Sequence, residues 1–303
     1  RGAKVVVSAR SGDALAELER EIANGGGEAL AVVADVASES DVRRLAAKAV
    51  ERFGGFDTWV NNAGVSVYGA IADVPIEDHR RLFETNFWGV VYGSLAAVEH
   101  LRKAGGALVN VGSTLSDRAI PLQGTYSASK HAVKGFTDAL RMELEEDGAP
   151  VSVTLVKPGA IDTPYVKHAK NYLPDTPSVP PPVYAPDVVA ETILTCAERP
   201  VRDVFVGGGG KAISMAGHYA PRLTDLAMTA TMRTMQQGGP PSDEPDGIDG
   251  PSGRLEERGG YPGHVSESSL YTTASLRPAL TSALAIAGLG LAAAGLYRSM
   301  GRA

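Results

Sequence analysis

A chain of 303 residues, 44% hydrophobic and 21% charged, is long enough to bury one large core or two small ones. Its formal net charge of −6 leaves no basic excess to draw it to nucleic acid. One cysteine, Cys196, excludes an internal disulfide framework, and its place in the apolar run VVAETILTCAE reads as a buried structural thiol in a reducing, cytoplasmic setting.

From residue 1 to 206 strands alternate with helices. GAKVVVSA reads as a strand, GDALAELEREIA as an amphipathic helix, ALAVVAD as a strand, and SESDVRRLAAKAVERF as a helix capped at Ser38 or Ser40. FDTWVNN is a strand, followed by one long helical stretch from Ile76 to Ala104. GALVNVGS, the helix GTYSASKHAVKGFTDALRMELEED and VSVTLVKPG come next. A Pro-rich loop from about Tyr165 to Tyr184, a helix from about Pro186 to Glu198 and the strand RDVFVG complete the unit. Strands of nearly continuous apolar residues between helices predict a parallel sheet covered on both faces.

Beyond Gly207 the pattern changes. Residues 207–236 read as a helical extension, and 237–270, rich in Gly, Pro and acid, as a flexible linker. Residues 278–297, PALTSALAIAGLGLAAAGLY, carry no charge and are flanked by Arg277 and Arg298. At about 1.5 Å per residue such a helix matches a bilayer core, so this segment is a candidate membrane contact. Packing on the domain or on a partner is the other reading.

The chemistry gathers in YSASK. Residues four apart on a helix share a face, so Tyr126 and Lys130 point the same way. A nearby ammonium favours the phenolate and lowers a tyrosine pKa, which suits proton exchange with an alcohol or carbonyl. Chance produces this spacing often enough that alone it is weak evidence. Around it, however, strand after strand ends in small or polar residues: Asp35 after VVA, the NNAG turn Asn61, Asn62, Ala63 and Gly64, then Ser113, then PGAIDT from Pro158 to Thr163. Strand ends of an open parallel sheet are where ligands bind. His79, His100 and His131 lie on predicted helices without metal-type spacing, so no metal is expected.

NNAG, Asn86, Ser113, YSASK and PGAIDT in this order resemble the short-chain dehydrogenase/reductase family over residues 1–206. The resemblance implies a Rossmann-like, doubly wound parallel α/β sheet and a nicotinamide-dependent oxidoreductase acting on a small-molecule alcohol or carbonyl. It implies Tyr126 as general acid/base, Lys130 as its tuner and ribose ligand, Ser113 on the substrate oxygen, and Asn86 in a water relay to Lys130. It puts Asp35 and Val36 at the adenine, Asn61 to Gly64 along the cofactor, and Pro158, Gly159 and Thr163 near the carboxamide. A homo-oligomer is implied too. An epimerase or dehydratase on the same scaffold, and a non-catalytic dinucleotide binder, are the alternatives.

Two features depart from the family pattern. Family members begin with a strand and a Gly-rich turn facing the pyrophosphate, and no TGxxxGxG segment stands in this sequence. RGAKVVVSAR matches the family's second strand, so the resemblance implies a sheet lacking its first strand and a chain that is inactive by itself. At the end of that strand stands neutral Ala9, followed by Arg10, where NAD-binding members carry an acid. An arginine there suits the 2′-phosphate of NADP, and NADP(H) is expected over NAD(H); a solvated loop arginine is the other reading. The tyrosines and valines of 165–184, with the apolar tail, suggest a lipophilic substrate.

Overall fold

The computed structural model describes residues 1–239, 245–251, 256–277 and 281. In chain order the elements are β1 (Lys4–Ala9), α1 (Gly12–Asn24), β2 (Glu28–Val33), α2 (Glu39–Phe53), β3 (Thr58–Asn61) and β4 (Val67–Tyr68). Then follow α3 (Ile76–Phe83), α4 (Gly89–Ala104), β5 (Gly106–Val111), α5 (Gly124–Glu146) and β6 (Val151–Pro158). Short strands β7 (Ala160–Ile161), β8 (Lys170–Asn171), β9 (Thr176–Pro177) and β10 (Val183–Tyr184) precede α6 (Pro186–Glu198) and β11 (Asp203–Val206). The C-terminal part holds α7 (Gly208–Tyr219), α8 (Pro221–Met235), β12 (Gln237–Gly239), β13 (Val265–Ser266) and α9 (Leu270–Leu276).

The central sheet is parallel throughout, in the order β11-β6-β5-β3, with Thr58 opposite Ala107, Gly106 opposite Val151 and Asp203 opposite Leu155. Both faces of β5 and β6 are buried, which is why these strands read as unbroken apolar runs. Leu108 and Val153 pack with Ala97, Leu101, Leu140 and Leu144 of α4 and α5. On the opposite face Val109, Val156 and Val204 pack around Cys196 of α6, whose burial drives the thiol pKa up to about 11.

A buried polar network ties the layers together. Asn61 Nδ2 donates to Asn110 Oδ1 (2.8 Å) and Ser94 Oγ (3.1 Å), and Asn110 Nδ2 donates to Thr137 Oγ1 (2.9 Å). Gly93 makes room for it, since a Cβ there would sit 2.0 Å from Asn61 Oδ1.

β1 and β2 form a second, two-stranded parallel sheet, with Lys4 opposite Glu28. α1 covers one face through Ala14 and Leu15, which are buried together with Val32. Among the described residues no strand joins β1 to β3. A cleft of about 1050 Å³ separates them, walled by Lys4 to Val6 and Ser8 to Arg10 on one side and by Thr58 to Asn61 on the other. Val5 and Val60 are 36% and 37% exposed on the two sides.

Two sequence expectations meet a different structure, and a third falls outside it. The helix expected over Ile76 to Ala104 is interrupted by a π turn, Glu84–Trp88, that separates α3 from α4. The stretch 237–270, expected to be flexible, packs on the domain in its described parts: β12 pairs with β9, β13 pairs with β10, and Ile248 joins the core. Segment 278–297 lies outside the described residues, Thr281 apart. Among the described residues no helix is long and apolar enough to cross a membrane.

Candidate active site

Tyr126 is the third residue of α5 and Lys130 lies one turn later, so both face the C-terminal end of β5. Lys130 Nζ donates to Val111 O at 2.9 Å, the last residue of β5, and lies 5.7 Å from the Tyr126 ring centroid. Burial lowers the Lys130 pKa to about 8. Among the described residues this is the ammonium's one hydrogen bond, which leaves N–H donors for a ligand hydroxyl.

Ser113, at the end of the β5 segment, caps the 3₁₀ turn Thr114–Ser116 with a reciprocal pair: its Oγ accepts from Leu115 N (3.1 Å) and its N–H donates to Ser116 Oγ (3.1 Å). That cap fixes the hydroxyl beside the Tyr126 phenol. Hydrogen bonds from Ser113 and Tyr165 favour the Tyr126 phenolate, but burial outweighs them and the pKa is raised. Removal from water is the largest influence on the phenol in this closed site.

Asn86 sits in the π turn and is fully buried. Its Oδ1 accepts from Val65 N (2.8 Å), and its Nδ2 donates to Val65 O (2.9 Å) and Ser129 Oγ (3.2 Å). The side chain therefore clamps the strand leaving NNAG to α5. A π turn in a helix is a common mark of a functional site. Gly64 faces the same point, because a Cβ there would lie 3.4 Å from Asn86 Oδ1 and 3.8 Å from Lys130 Nζ.

The other predicted residues fall in two groups. Arg10, Asp35, Val36, Asn62, Ala63 and Gly64 line the cleft between the sheets. Asp35 Oδ1 accepts from Ala37 N at 2.9 Å, which turns the chain at the β2 end and presents Val36 against Gly89. Asn61 borders the cleft as well, but its amide is engaged in the interior network described above. Pro158 and Gly159 close β6, and Gly159 N donates to Val206 O (3.0 Å). Thr163 caps the short turn Pro164–Val166. Residues 259–261 cover this turn: Gly259 N donates to Asp162 O (3.2 Å) and Tyr261 N to Asp162 Oδ1 (2.8 Å). Arg10 Nη2 is held by the carbonyls of Gly247 and Gly250, the second at 2.8 Å.

Several residues escaped the sequence reading. Tyr165 OH donates to Ser66 Oγ (2.8 Å) and approaches Gln123 Oε1 (3.3 Å), and its ring meets that of Tyr126 edge-on at 5.6 Å. Gln123 Nε2 donates to Gln236 Oε1 (2.9 Å), and Gln236 Nε2 donates to Pro121 O (2.9 Å). Val65, Val67, Leu115, Met228, Met232 and Ile248 pack around Tyr126 in one apolar cluster. No local pattern marks these side chains, because their partners stand far away in the chain, as Gln123 and Gln236 do at 113 residues.

The family model for short chain dehydrogenases matches residues 1–172. The uncharacterized oxidoreductase YxnA of Bacillus subtilis is 47% identical over 294 residues, covering 95% of this chain and 82% of that protein. Versicolorin reductase of Emericella nidulans is 33% identical over 58% of this chain and 66% of its own length. Among solved structures, an alcohol dehydrogenase from Thermococcus sibiricus complexed with 5-hydroxy-NADP matches with TM-score 0.59 and 25% identity, over 67% of this chain and 85% of that one. A short-chain dehydrogenase/reductase from Burkholderia phymatum in complex with NAD shares the fold with TM-score 0.65 at 23% identity, over 73% and 85% of the two chains.

Proposed function

This chain belongs to the short-chain dehydrogenase family, and we propose that it is an oxidoreductase that interconverts an alcohol and a carbonyl with NADP(H), with Tyr126 as proton donor and acceptor. One observation carries the reading: Tyr126, Lys130 and Ser113 are buried together, at the C-terminal end of a parallel strand and beside the cleft.

The residues present suit a nicotinamide dinucleotide. Gly64 lines the cleft and faces Lys130, whose remaining N–H groups suit a ribose hydroxyl. Asp35 and Arg10, which also line the cleft, offer a carboxylate and a guanidinium for the adenosine. When bound, the dinucleotide supplies or accepts the hydride. The chain's own residues handle the proton and the charge. In the reductive direction the Tyr126 hydroxyl gives its proton to the carbonyl oxygen as negative charge develops there. The Ser113 hydroxyl donates to the same oxygen and aligns it. The Lys130 ammonium, still protonated at neutral pH with a pKa of about 8, stabilises the phenolate left behind. Asn86 holds Val65 and Ser129, and so keeps Gly64 and α5 in register around these groups.

NADP(H) is favoured because the guanidinium of Arg10 follows neutral Ala9, and no carboxylate stands there to repel a 2′-phosphate. A lipophilic substrate fits the cluster around Tyr126, where Val65, Val67, Leu115, Met228 and Met232 bring no charge. The test is a screen of apolar ketones and alcohols, following net oxidation or reduction of the nicotinamide. Net turnover that disappears in Tyr126→Phe supports the reading. Conversion of a substrate without net nicotinamide change would replace it with an isomerising reaction.

A further inference from the structure

Tyr126 is only 9% exposed, so a substrate reaches its hydroxyl only if part of the wall moves. Three elements form that wall, and they differ in how firmly they are held. The sheet and α5 are core. Helix α8 brings Met228 and Met232, and just past its end Gln236 is fully buried, bonded to Gln123, Pro121 O and Met232 O. Residues 246–251 are held differently. Ile248 alone enters the cluster around Tyr126, at 8% exposure. The rest is fastened from outside: Gly247 N donates to His168 O (2.7 Å), and Asp249 pairs with Lys170 (2.6 Å) and with Arg81. Arg10 Nη2 donates to Gly247 O and Gly250 O, and Pro251 borders the cleft. Within the segment, Asp246 Oδ1 accepts from Ile248 N (3.0 Å) and Asp249 N (2.9 Å), so it moves as a preformed turn. Ion pairs between half-exposed side chains hold weakly compared with a buried amide network.

We propose that residues 246–251 are the removable wall of the substrate pocket, with Ile248 as its specificity-determining side chain and Arg10 as the clamp joining it to the cofactor cleft. The inference rests on the reading of Tyr126 as the reacting centre. The arginine fork has five N–H donors, and both strap carbonyls engage the same nitrogen, Nη2. Nη1 and Nε are left to meet an anion in the cleft while the strap stays closed. Arg10 thereby connects occupation of the cleft with closure over the substrate. Lys170, the first residue of β8, makes a second connection, since it also approaches Asp78 of α3 (3.4 Å).

Two measurements on the full chain test this. The first is the ratio of kcat/KM for a bulky alicyclic ketone to that for a short-chain ketone. Ile248→Ala should raise the ratio about tenfold or more, since removing methylenes from a pocket wall shifts selectivity by about that much. An unchanged ratio, or an equal fall for both ketones, overturns the assignment of Ile248. The second is hydrogen exchange of the wild type and of Asp249→Asn and Arg10→Ala. Exchange at 246–251 should rise about tenfold or more in each variant, with α5 amides unchanged, as for a locally opening unit. No rise, or an equal rise in α5, overturns the wall. If no variant turns over either ketone, the hydride-transfer reading fails, while the exchange experiment still decides whether the wall opens.

Discussion

The two parallel sheets of this molecule are built from similar strands and held very differently. β5 and β6 are buried along nearly their whole length, between α4 and α5 on one face and α6 on the other. β1 and β2 have only half-buried residues along most of their length, and β1 turns one edge toward the open cleft. Tyr126, Lys130 and Ser113 stand on the first sheet and the helices that cover it. The residues suited to the adenosine, Arg10, Asp35 and Val36, stand at the ends of the second. The difference is one of burial: the central sheet has a two-sided core, whereas β1 and β2 bury little beyond Val32, which packs under Ala14 and Leu15 of α1.

Four perturbations probe that difference. The largest effect is expected for Tyr126→Phe, which should lower kcat by about 10²- to 10⁴-fold while NADPH binding, followed by fluorescence, stays intact. Simultaneous loss of binding would show that the two halves are not independent. Next, Leu108→Ala in the packed sheet should cost about 2–5 kcal/mol in denaturant melts, whereas Val5→Ala in the cleft wall should cost under about 1 kcal/mol. Equal losses would break the comparison outright.

Arg10→Ala should weaken NADPH relative to NADH by about tenfold, the order of one charge-assisted hydrogen bond, as read from the two kcat/KM values. An unchanged preference would remove Arg10 from cofactor choice. The smallest effect concerns Lys130, lowered by burial from 10.5 to about 8. Between these values the unfolded chain holds a proton that the folded chain lacks, so this group adds stability as pH rises through the window. Below pH 8 the buried ammonium exerts its full cost. The Tm of the wild type, referred to Lys130→Met, should therefore climb from pH 8 to pH 10. A flat difference would mean that Lys130 is solvated like a surface lysine.

Much of the site was legible in the chain. Tyr126 and Lys130 share a helix face by local geometry alone, and strand ends such as Asn62 to Gly64, Ser113 and Pro158 converge once the sheet is parallel. The cap of α2 was legible as Ser38 or Ser40, and the structure makes it Ser38, whose Oγ accepts from Asp41 N. What failed to show were features set by crowding or by distant contacts. The π turn at Glu84–Trp88 inserts Asn86 between Val65 and Ser129, a demand that helix periodicity does not express. The Gly- and Pro-rich composition of 237–270 spoke for a flexible linker, yet Ile248 is buried in the cluster around Tyr126.

By itself, then, the sequence determined the alternation of strands and helices and the shared helix face of Tyr126 and Lys130, because both follow from hydrogen bonding and side-chain direction within a few residues. Only the tertiary structure decided that Tyr126 lies in a buried apolar cluster, that burial raises its pKa, and that Ile248 from the C-terminal part joins that cluster. These depend on which surfaces exclude water from one another, and that is a property of the packed chain rather than of any window of it.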